Sequence, residues 1–252
     1  MQRAIAFLSI AAVLLFAGAV YASGIELEGA SYAGHLYVDA QTGNIVTNIG
    51  GDQAPAAGTD VYSNVASAAN AAISSTALAS IWGDRFTTTG VGVLSQNDLT
   101  IYNSSSSAGT LSSCNIAVNF YNGATSAFIG GYTGSINFGS TPLGVGFYTI
   151  VTFINLETLG TPINLTVNDI IETQQLTAKT GAANRFGIAS LDPVTIGLGT
   201  QPMYINSSTI GPAGFYNIVA PPANSNPGYR VNVLQAIKTE PTTWGKVKSL
   251  YR

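Results

Sequence analysis

The chain of 252 residues carries little charge: Asp, Glu, Lys and Arg make up 8% of it, and the formal net charge is −3. An ordinary soluble domain has about 25% charged residues, so Ser, Thr, Asn, Gln and Gly must form most of this surface. Binding to nucleic acid needs clustered Lys and Arg, which are sparse in the first two hundred residues. The composition therefore argues against a nucleic-acid-binding protein and favours an extracellular protein over a cytoplasmic enzyme.

The N-terminal segment, residues 1–22, has the pattern of a signal helix. Arg3 supplies the positive start, Ala4 to Val20 is an apolar run, and small residues precede a cleavage position at about Ser23. A retained membrane anchor is the alternative, since the run is close to the length that spans a bilayer. The preferred interpretation predicts export through a cleaved signal peptide, an extracellular or cell-surface location, and no membrane attachment after cleavage.

Residues 23–59 are predicted to form an N-terminal arm or an edge hairpin. Weak strands are expected at His35 to Asp39 and at Asn44 to Thr47, separated by a Gly-containing turn. The Ala- and Pro-containing stretch from Ala54 to Gly58 is typical of a linker. These features place the main domain at residues 60–234.

The Ala- and Ser-rich segment from Asn64 to Ser80 interrupts the succession of predicted strands. Val65, Ala69 and Ile73 are spaced loosely as one face of a helix. Ser and Asn hydrogen-bond to their own backbone and so weaken helix formation. We predict an irregular loop here, with a short helix as the alternative.

The clearest strand signal lies between Leu111 and Leu156. Ile116, Val118 and Phe120 alternate with polar residues, which is the two-residue period of a half-buried strand. An Asn-Gly pair follows at residues 122–123 and favours a tight turn with positive φ. The pattern predicts a hairpin whose second strand runs near Phe128 to Tyr132.

Cys114 is the only cysteine, so no intramolecular disulfide can form. It falls on the same strand face as the apolar residues that follow it, and we interpret it as a small buried side chain. A reactive thiol or an intermolecular disulfide is the alternative.

About a dozen short strands, with no long helix between them, predict an all-β protein. The segment Phe147 to Ile154 is apolar on both faces and is expected to be an interior strand. We predict a two-sheet antiparallel β-sandwich, with a jelly-roll as one arrangement. The remaining strands of its second half are expected at Ile163 to Val167, Ile170 to Leu176, Arg185 to Leu191, Val194 to Ile196, Met203 to Ile205, Phe215 to Val219 and Tyr229 to Leu234.

The last segment, residues 235–252, is basic and differs from the rest of the chain. Thr243 is placed to cap a short C-terminal helix with apolar residues on one side and basic residues toward its end. So short a helix needs a surface to dock on. The residues assigned to a sorting or anchoring role are Trp244, Gly245, Lys246, Lys248, Tyr251 and Arg252.

Five carboxylates of the main domain are the candidates for acid–base or metal chemistry: Asp60, Asp84, Asp98, Asp169 and Glu172. A pair of them could hydrolyse a glycoside if burial raised the pKa of one. The alternative places them at turns and strand edges. No EF-hand-like loop is present, so a structural Ca²⁺ ion is only a secondary expectation and no other cofactor is predicted.

His35 is the only histidine. No zinc motif can be built with a single His and a single Cys. A serine nucleophile would have to use His35 and lacks a Gly-x-Ser-x-Gly turn, so no catalytic residue is assigned.

Aromatic residues are the stronger functional signal, with 12 Tyr and 2 Trp in the chain. Exposed rings beside Asn and Ser suit stacking on sugars, whereas packing at sheet margins is the alternative. The candidate ligand-binding residues, chosen by strand alternation, are Tyr102, Tyr121, Tyr132, Tyr204 and Tyr216.

The stretches Asp60 to Tyr62, Gly83 to Phe86, Leu99 to Asn103 and Val118 to Gly123 resemble secreted β-sandwich domains of planctomycete-type bacterial surface proteins. The resemblance covers about residues 60–233 and its motifs are structural. It implies a cell-surface or matrix protein without an assigned catalytic centre.

The ending, Thr243 to Arg252, similarly resembles a short tail found on exported bacterial proteins, which implies sorting or anchoring. It departs from the Pro-Glu-Pro sorting tail, because Glu240-Pro241 is not followed by an apolar span.

We therefore expect a secreted, non-enzymatic β-sandwich that acts in surface structure, adhesion or carbohydrate contact. Its expected partners are surface glycans or neighbouring surface proteins, and a homo-oligomer is one form. The alternatives are a carboxylate-dependent glycan-active enzyme and a self-assembling fibre subunit whose N-terminal arm pairs with a neighbour's sheet edge.

Overall fold

The computed structural model describes residues 27–47, 58–200, 202–216 and 226–234. Within these ranges the regular structure consists of strands and one 3-10 turn at Leu156–Thr158. No helix there is long and apolar enough to cross a membrane. The predicted signal helix at residues 1–22 and the C-terminal tail at residues 235–252 lie outside the described residues.

Sixteen strands are present in the described ranges. They are β1 (Ser31–Asp39), β2 (Ile45–Thr47), β3 (Thr59–Ser63), β4 (Ala69–Ser75), β5 (Ile81–Thr87), β6 (Gly92–Asn103), β7 (Leu111–Asn122), β8 (Phe128–Asn137), β9 (Phe147–Ile154), β10 (Asn164–Leu165), β11 (Asp169–Gly181), β12 (Phe186–Leu191), β13 (Leu198–Gly199), β14 (Met203–Ser207), β15 (Gly211–Tyr216) and β16 (Tyr229–Leu234).

The strands form two sheets. The larger has nine strands in the order β2-β1-β9-β6-β12-β4, with β10 and β16 also paired to β6, and β3 paired to β16. The smaller has seven strands in the order β15-β14-β5-β11-β7-β8, with β13 paired to β5. The β1–β9 pair is parallel, and the other described pairs are antiparallel. The all-β, two-sheet prediction is confirmed, except for this parallel pair; the jelly-roll connectivity stays a prediction.

The main core lies between the inner faces of the two sheets. Ile101 of β6 and Phe153 of β9 join Val118 and Phe120 of β7 in one fully buried cluster. Tyr132 of β8 connects the sheets, because its hydroxyl donates to Asn97 Oδ1 at 2.6 Å and its ring packs edge-on against Phe153. Each fully buried large apolar side chain stabilises the fold by about 1.5–3 kcal/mol.

The predicted hairpin is confirmed as β7 and β8, but its turn differs from the expectation. Five residues connect the strands, and the positive φ falls at Ser126 (φ 58°) and not in the Asn122-Gly123 pair. Asn122 Oδ1 accepts hydrogen bonds from the backbone N–H groups of Ala124 and Thr125. The side chain of Asn122 thus holds a longer loop, which is a second way in which Asn stabilises turns.

The interior position predicted for Phe147 to Ile154 is confirmed. The strand β9 has the predicted bounds, lies between β1 and β6, and is buried from Tyr148 to Phe153. The burial predicted for Cys114 is also confirmed, since its side chain is 1% exposed in the main core. Burial raises the pKa of this thiol to about 12.

The loop predicted between Asn64 and Ser80 is wrong in its middle, which forms β4. This strand pairs antiparallel with β12, and Ala72 and Ile73 are buried. Gly187 on β12 lets the two backbones approach closely, since a Cβ there would collide with the Ile73 carbonyl oxygen. Pairing with a distant strand overrides the weak local preference of Ala and Ser.

The N-terminal hairpin predicted from the sequence forms an edge of the larger sheet. β1 pairs with β2 on one side and with β9 on the other. The turn between β1 and β2 is held by Asp39 Oδ1, which accepts hydrogen bonds from the Gln41 and Thr42 backbones. The strand predicted at Val194 to Ile196 is wrong, because this segment contributes only an isolated bridge to Ser63.

Candidate functional site

The outer face of the seven-stranded sheet carries a shallow cleft of about 270 Å³, called the outer cleft below. It crosses five strands, from β15 to β7. Its lining residues are aliphatic, aromatic or uncharged and polar: Ile81, Asn119, Tyr121, Ser126, Ile171, Thr173, Gln175, Tyr204 and Phe215.

Strand alternation explains why these side chains point away from the core. On β7 the core holds Val118 and Phe120, so Asn119 and Tyr121 face outward. On β11 Glu172 is fully buried on the inner side, so its neighbours, among them Thr173, face outward. The same sheet thus presents an apolar inner face and a mixed aromatic and polar outer face.

One cross-strand row sets the width of the outer cleft. Tyr204 of β14 pairs with Gly83 of β5, which pairs with Thr173 of β11, which pairs with Asn119 of β7. Three strand spacings separate Tyr204 from Asn119, or about 14 Å. Gly83 has no side chain, so the floor stays low between Tyr204 and Thr173.

Two aromatic pairs stand at opposite sides of the floor. Tyr204 packs edge-on against Phe215, with ring centroids 5.5 Å apart. Tyr121 packs edge-on against Phe128, with centroids 5.7 Å apart. Phe128 and Phe215 are 63% and 39% exposed, which is high for phenylalanine. Edge-to-face packing fixes the orientation of each ring before any ligand arrives.

Some polar side chains of the cleft are held by hydrogen bonds within the protein, and others are available to bind a ligand. Gln175 Nε2 donates to the Ala79 carbonyl, which holds that side chain against the floor. The hydroxyls of Tyr121 and Tyr204 make no hydrogen bond within the described part of the chain. Partial burial, with Tyr121 nearby as a smaller cause, raises the pKa of Tyr204. Tyr204 therefore presents a neutral hydroxyl to a ligand.

Among the described residues that line the outer cleft, none is charged. The nearest charges identified by register belong to Arg85 and Asp169, which flank Ile171 on the same face. They neutralise each other in a bidentate pair, with Arg85 Nη2 2.6 Å from Asp169 Oδ2. The cleft therefore favours an uncharged ligand.

The five tyrosines chosen from the sequence divide between two environments. Tyr121 and Tyr204 lie together in the outer cleft. Tyr102, Tyr132 and Tyr216 are buried, at 0%, 7% and 7% exposure. Their hydroxyls donate to Glu28, to Asn97 and to the Pro212 carbonyl, respectively.

Sequence reasoning missed two exposed phenylalanines: Phe215 lines the cleft, and Phe128 packs against Tyr121 beside it. Phe128 and Phe215 were expected to lie in strands, and an isolated Phe is normally assigned to a core. The available signal was their cross-strand position. Phe128 pairs with Tyr121, and Phe215 pairs with Tyr204, but the register becomes known only once the strands are paired.

The carboxylates singled out from the sequence lie outside the outer cleft. Asp84 and Glu172 point into the core, and both are fully buried. Asp98 is buried beside Arg230, and Asp60 is loosely paired with the same arginine at 4.0 Å. Asp169 pairs with Arg85, as described above.

Among the residues that the structure describes, no three His, Cys, Asp or Glu side chains are grouped to hold a metal ion. His35 lies on the other sheet, where its Nε2 is hydrogen-bonded to Thr152 Oγ1. The structural Ca²⁺ ion stays a prediction.

No protein-family model, curated protein or solved structure matches this chain. The fold and the outer cleft therefore define it: an all-β, two-sheet protein with an uncharged aromatic cleft on one outer face. The resemblance to secreted planctomycete-type domains stays a prediction.

Proposed function

We propose that this is an exported, non-catalytic carbohydrate-binding protein of the cell surface or matrix, and that the outer cleft holds a neutral glycan. The observation that carries the proposal is that Tyr121, Tyr204 and Phe215 line a cleft whose described floor is polar and uncharged, with Tyr121 supported from beside the cleft by Phe128.

The chemistry of the cleft matches that of a sugar ring. A hexose has apolar C–H faces and a rim of hydroxyl groups, so it needs ring surfaces to stack on and neutral hydrogen-bonding groups at the edges. The aromatic rings supply the first requirement. Asn119 and the hydroxyls of Tyr121 and Tyr204 supply the second.

The rigidity of the site supports binding over catalysis. Most of its side chains stand on adjacent strands of one sheet, and strand-borne sites hold their geometry with little ordering cost on binding. The candidate acids Asp84 and Glu172 lie on the opposite face of the same strands, in the core. A glycosidase would need two carboxylates facing the sugar.

Export and surface location rest on the sequence: the signal pattern of residues 1–22, the low charge and the basic tail. Removing Pro241 to Arg252 is expected to change where the protein is found more than its melting temperature. An unaltered location together with a sharply lower melting temperature would instead assign the tail a packing role.

Calorimetric titration of the chain from Ser23 onward with cello-, xylo-, manno- and malto-hexaose tests the outer cleft. Tyr121→Ala and Tyr204→Ala should each weaken binding of the preferred hexaose about tenfold or more, which is about 1.4 kcal/mol. Phe147→Ala is the matched control, since Phe147 is an exposed strand aromatic outside the cleft.

Two results would contradict the proposal. One is that none of the four hexaoses binds the folded protein. The other is that the Tyr121→Ala/Tyr204→Ala double variant, with a melting temperature close to that of the wild type, binds as many hexaose molecules per chain as the wild type does, and as tightly.

A further inference from the structure

The outer face of the larger sheet carries a second concave surface, called the second groove below. Its volume is about 680 Å³. The floor is formed by β1 and β9, and one wall by the segment 65–69 between β3 and β4. The side chains that matter to the argument are Tyr32, His35, Tyr37, Tyr148, Ile150 and Arg230.

A row of rings runs along this floor. Tyr32 lies opposite Tyr148 in the β1–β9 pair, with ring centroids 5.5 Å apart. Further along β1, His35 and Tyr37 stack with centroids 4.6 Å apart and planes 12° from parallel. The row from Tyr32 to Tyr37 spans about 16 Å of strand. Tyr32 is 52% exposed and offers most of the ring surface to a sugar, while Tyr148 and Tyr37 are 6% and 9% exposed and support the neighbouring rings.

The far end of the second groove is polar. Arg230 lines it and is held by Asp98, with Nε and Oδ2 3.0 Å apart, and more loosely by Asp60 at 4.0 Å. His35 Nε2 also lies 3.9 Å from Asp98 Oδ2, so two carboxylates face Arg230 and His35, and no unbalanced positive charge is left to hold a negatively charged sugar. Charged groups fixed in this way offer strong hydrogen bonds to the hydroxyls of a neutral sugar.

The two sites are independent in space. Each lies on the outer face of a different sheet, and the two inner faces share the core. Side chains on the two outer faces point in opposite directions, across two sheets that pack about 10 Å apart. A ligand in one site cannot contact a ligand in the other.

We propose that the second groove is a second binding site for neutral glycans, and that the protein is therefore bivalent and cross-links polysaccharide chains. This inference rests on the proposed function of the outer cleft and extends it. A bivalent monomer can join two polysaccharide chains without forming an oligomer itself. Its two sites on one rigid body act together on long polymers.

The test uses the hexaose that binds best in calorimetry and the matching long polysaccharide in a turbidity assay. The wild type should bind two hexaose molecules per chain and should precipitate the polysaccharide. Tyr32→Ala, at a ring that is 52% exposed, should reduce the stoichiometry to one and abolish precipitation. Tyr121→Ala/Tyr204→Ala should do the same from the other face, and Phe147→Ala should do neither.

A second variant blocks the groove without removing a side chain, so that a loss of binding cannot be attributed to unfolding. Ala66 is an exposed residue of the groove wall, so Ala66→Trp should fill the second groove without removing any core contact. It should also leave one site and no precipitation. A wild-type stoichiometry of one, abolished by the outer-cleft variants and unchanged by Tyr32→Ala and Ala66→Trp, would overturn the second site alone. Absence of hexaose binding to the wild type would overturn the proposed function itself.

Discussion

Glu172 of β11 lies directly opposite Asp84 of β5, and both carboxyl groups point into the core with no exposed surface. Burial raises the pKa of each well above its usual value. Burial also raises the pKa of the Tyr62 and Tyr229 hydroxyls, with the two carboxyls as smaller causes. One Asp84 oxygen accepts the Arg85 backbone N–H, while neither Glu172 oxygen makes a hydrogen bond of normal geometry among the described residues.

This pair predicts a fold that loses stability as the pH rises. A carboxyl whose pKa is raised by folding keeps its proton in the folded state after the unfolded chain has lost it. The free energy of unfolding therefore falls as the pH rises from about 4 toward the folded pKa, by up to about 1.4 kcal/mol per pH unit for each group. Asp98, with a pKa raised by burial to about 6 against the pull of Arg230, adds to the slope between pH 4 and 6.

Glu172→Gln removes the titration of one buried carboxyl. The dependence of the free energy of unfolding on pH, measured by urea unfolding at pH 5 to 8, should then become less steep by about 1 kcal/mol per pH unit. Asp169→Asn is the matched control. The hydrogen bond from Arg85 lowers the pKa of Asp169, so this change should leave the slope above pH 5 intact. If the free energy of unfolding of Glu172→Gln depended on pH as steeply as that of the wild type, the Glu172 carboxyl of the wild type would be ionised in the core.

The contact between Glu28 and the Tyr102–Ser105 segment is predicted to depend on the ionised Glu28 carboxylate, whereas β1 is held separately by its pairing with β9. Burial alone would raise its pKa, but hydrogen bonds from Ser104, Ser74, Ser105 and Tyr102 outweigh burial and lower the pKa to about 2. The stability that these hydrogen bonds contribute should therefore be fully present above pH 4.5 and be lost as the pH falls toward 2.

Glu28→Gln at pH 7 should weaken these hydrogen bonds, including the one that the Ser105 backbone N–H donates to Glu28 Oε2 at 3.0 Å, and should leave that N–H with the Tyr102 hydroxyl, which is also 3.0 Å away. We expect hydrogen exchange at that amide to become roughly tenfold faster, in keeping with loss of a hydrogen bond to a charged group. Unchanged exchange at Ser105 would show that the neighbouring serines hold the segment without the charge.

Gly134 is predicted to be indispensable to the packing between the sheets. A Cβ at this position would lie 2.1 Å from Phe153 Cε1, and Tyr132 prevents that buried ring from moving aside. Gly134→Ala should destabilise the protein by about 1–3 kcal/mol, measured by chemical unfolding. Gly29→Ala, where nothing lies within 4 Å, should change stability little. Equal stability of the two variants would contradict the packing described here.

Cys114 is predicted to be inert in the folded protein. Its pKa of about 12 and its burial leave almost no thiolate at neutral pH. A disulfide reagent such as dithionitrobenzoate should label it only as fast as the protein unfolds, and immediately in guanidinium. Rapid labelling of the folded protein would instead support the reactive-thiol alternative.

Several strands were predictable because their signals are local. The bounds predicted for β9 and β16 match the structure, since turn-forming residues directly precede the apolar or alternating run in each case. The hairpin of β7 and β8 was predicted for the same reason. Its turn geometry was not predicted, because hydrogen bonds from the Ala124 and Thr125 N–H groups to Asn122 Oδ1, and not backbone preference, decided it. The second strand also continues to Asn137, beyond the predicted Tyr132.

The sequence by itself determined the all-β class, the buried positions of Cys114 and β9, and a surface with few charges. Tertiary structure alone decided that β4 is a strand, because its partner β12 is more than a hundred residues away. It also decided which tyrosines reach solvent. A two-residue period shows that alternate side chains share a face, but not which face is covered, so Tyr121 is in a cleft and Tyr132 in the core only because the larger sheet packs on one side of β7 and β8.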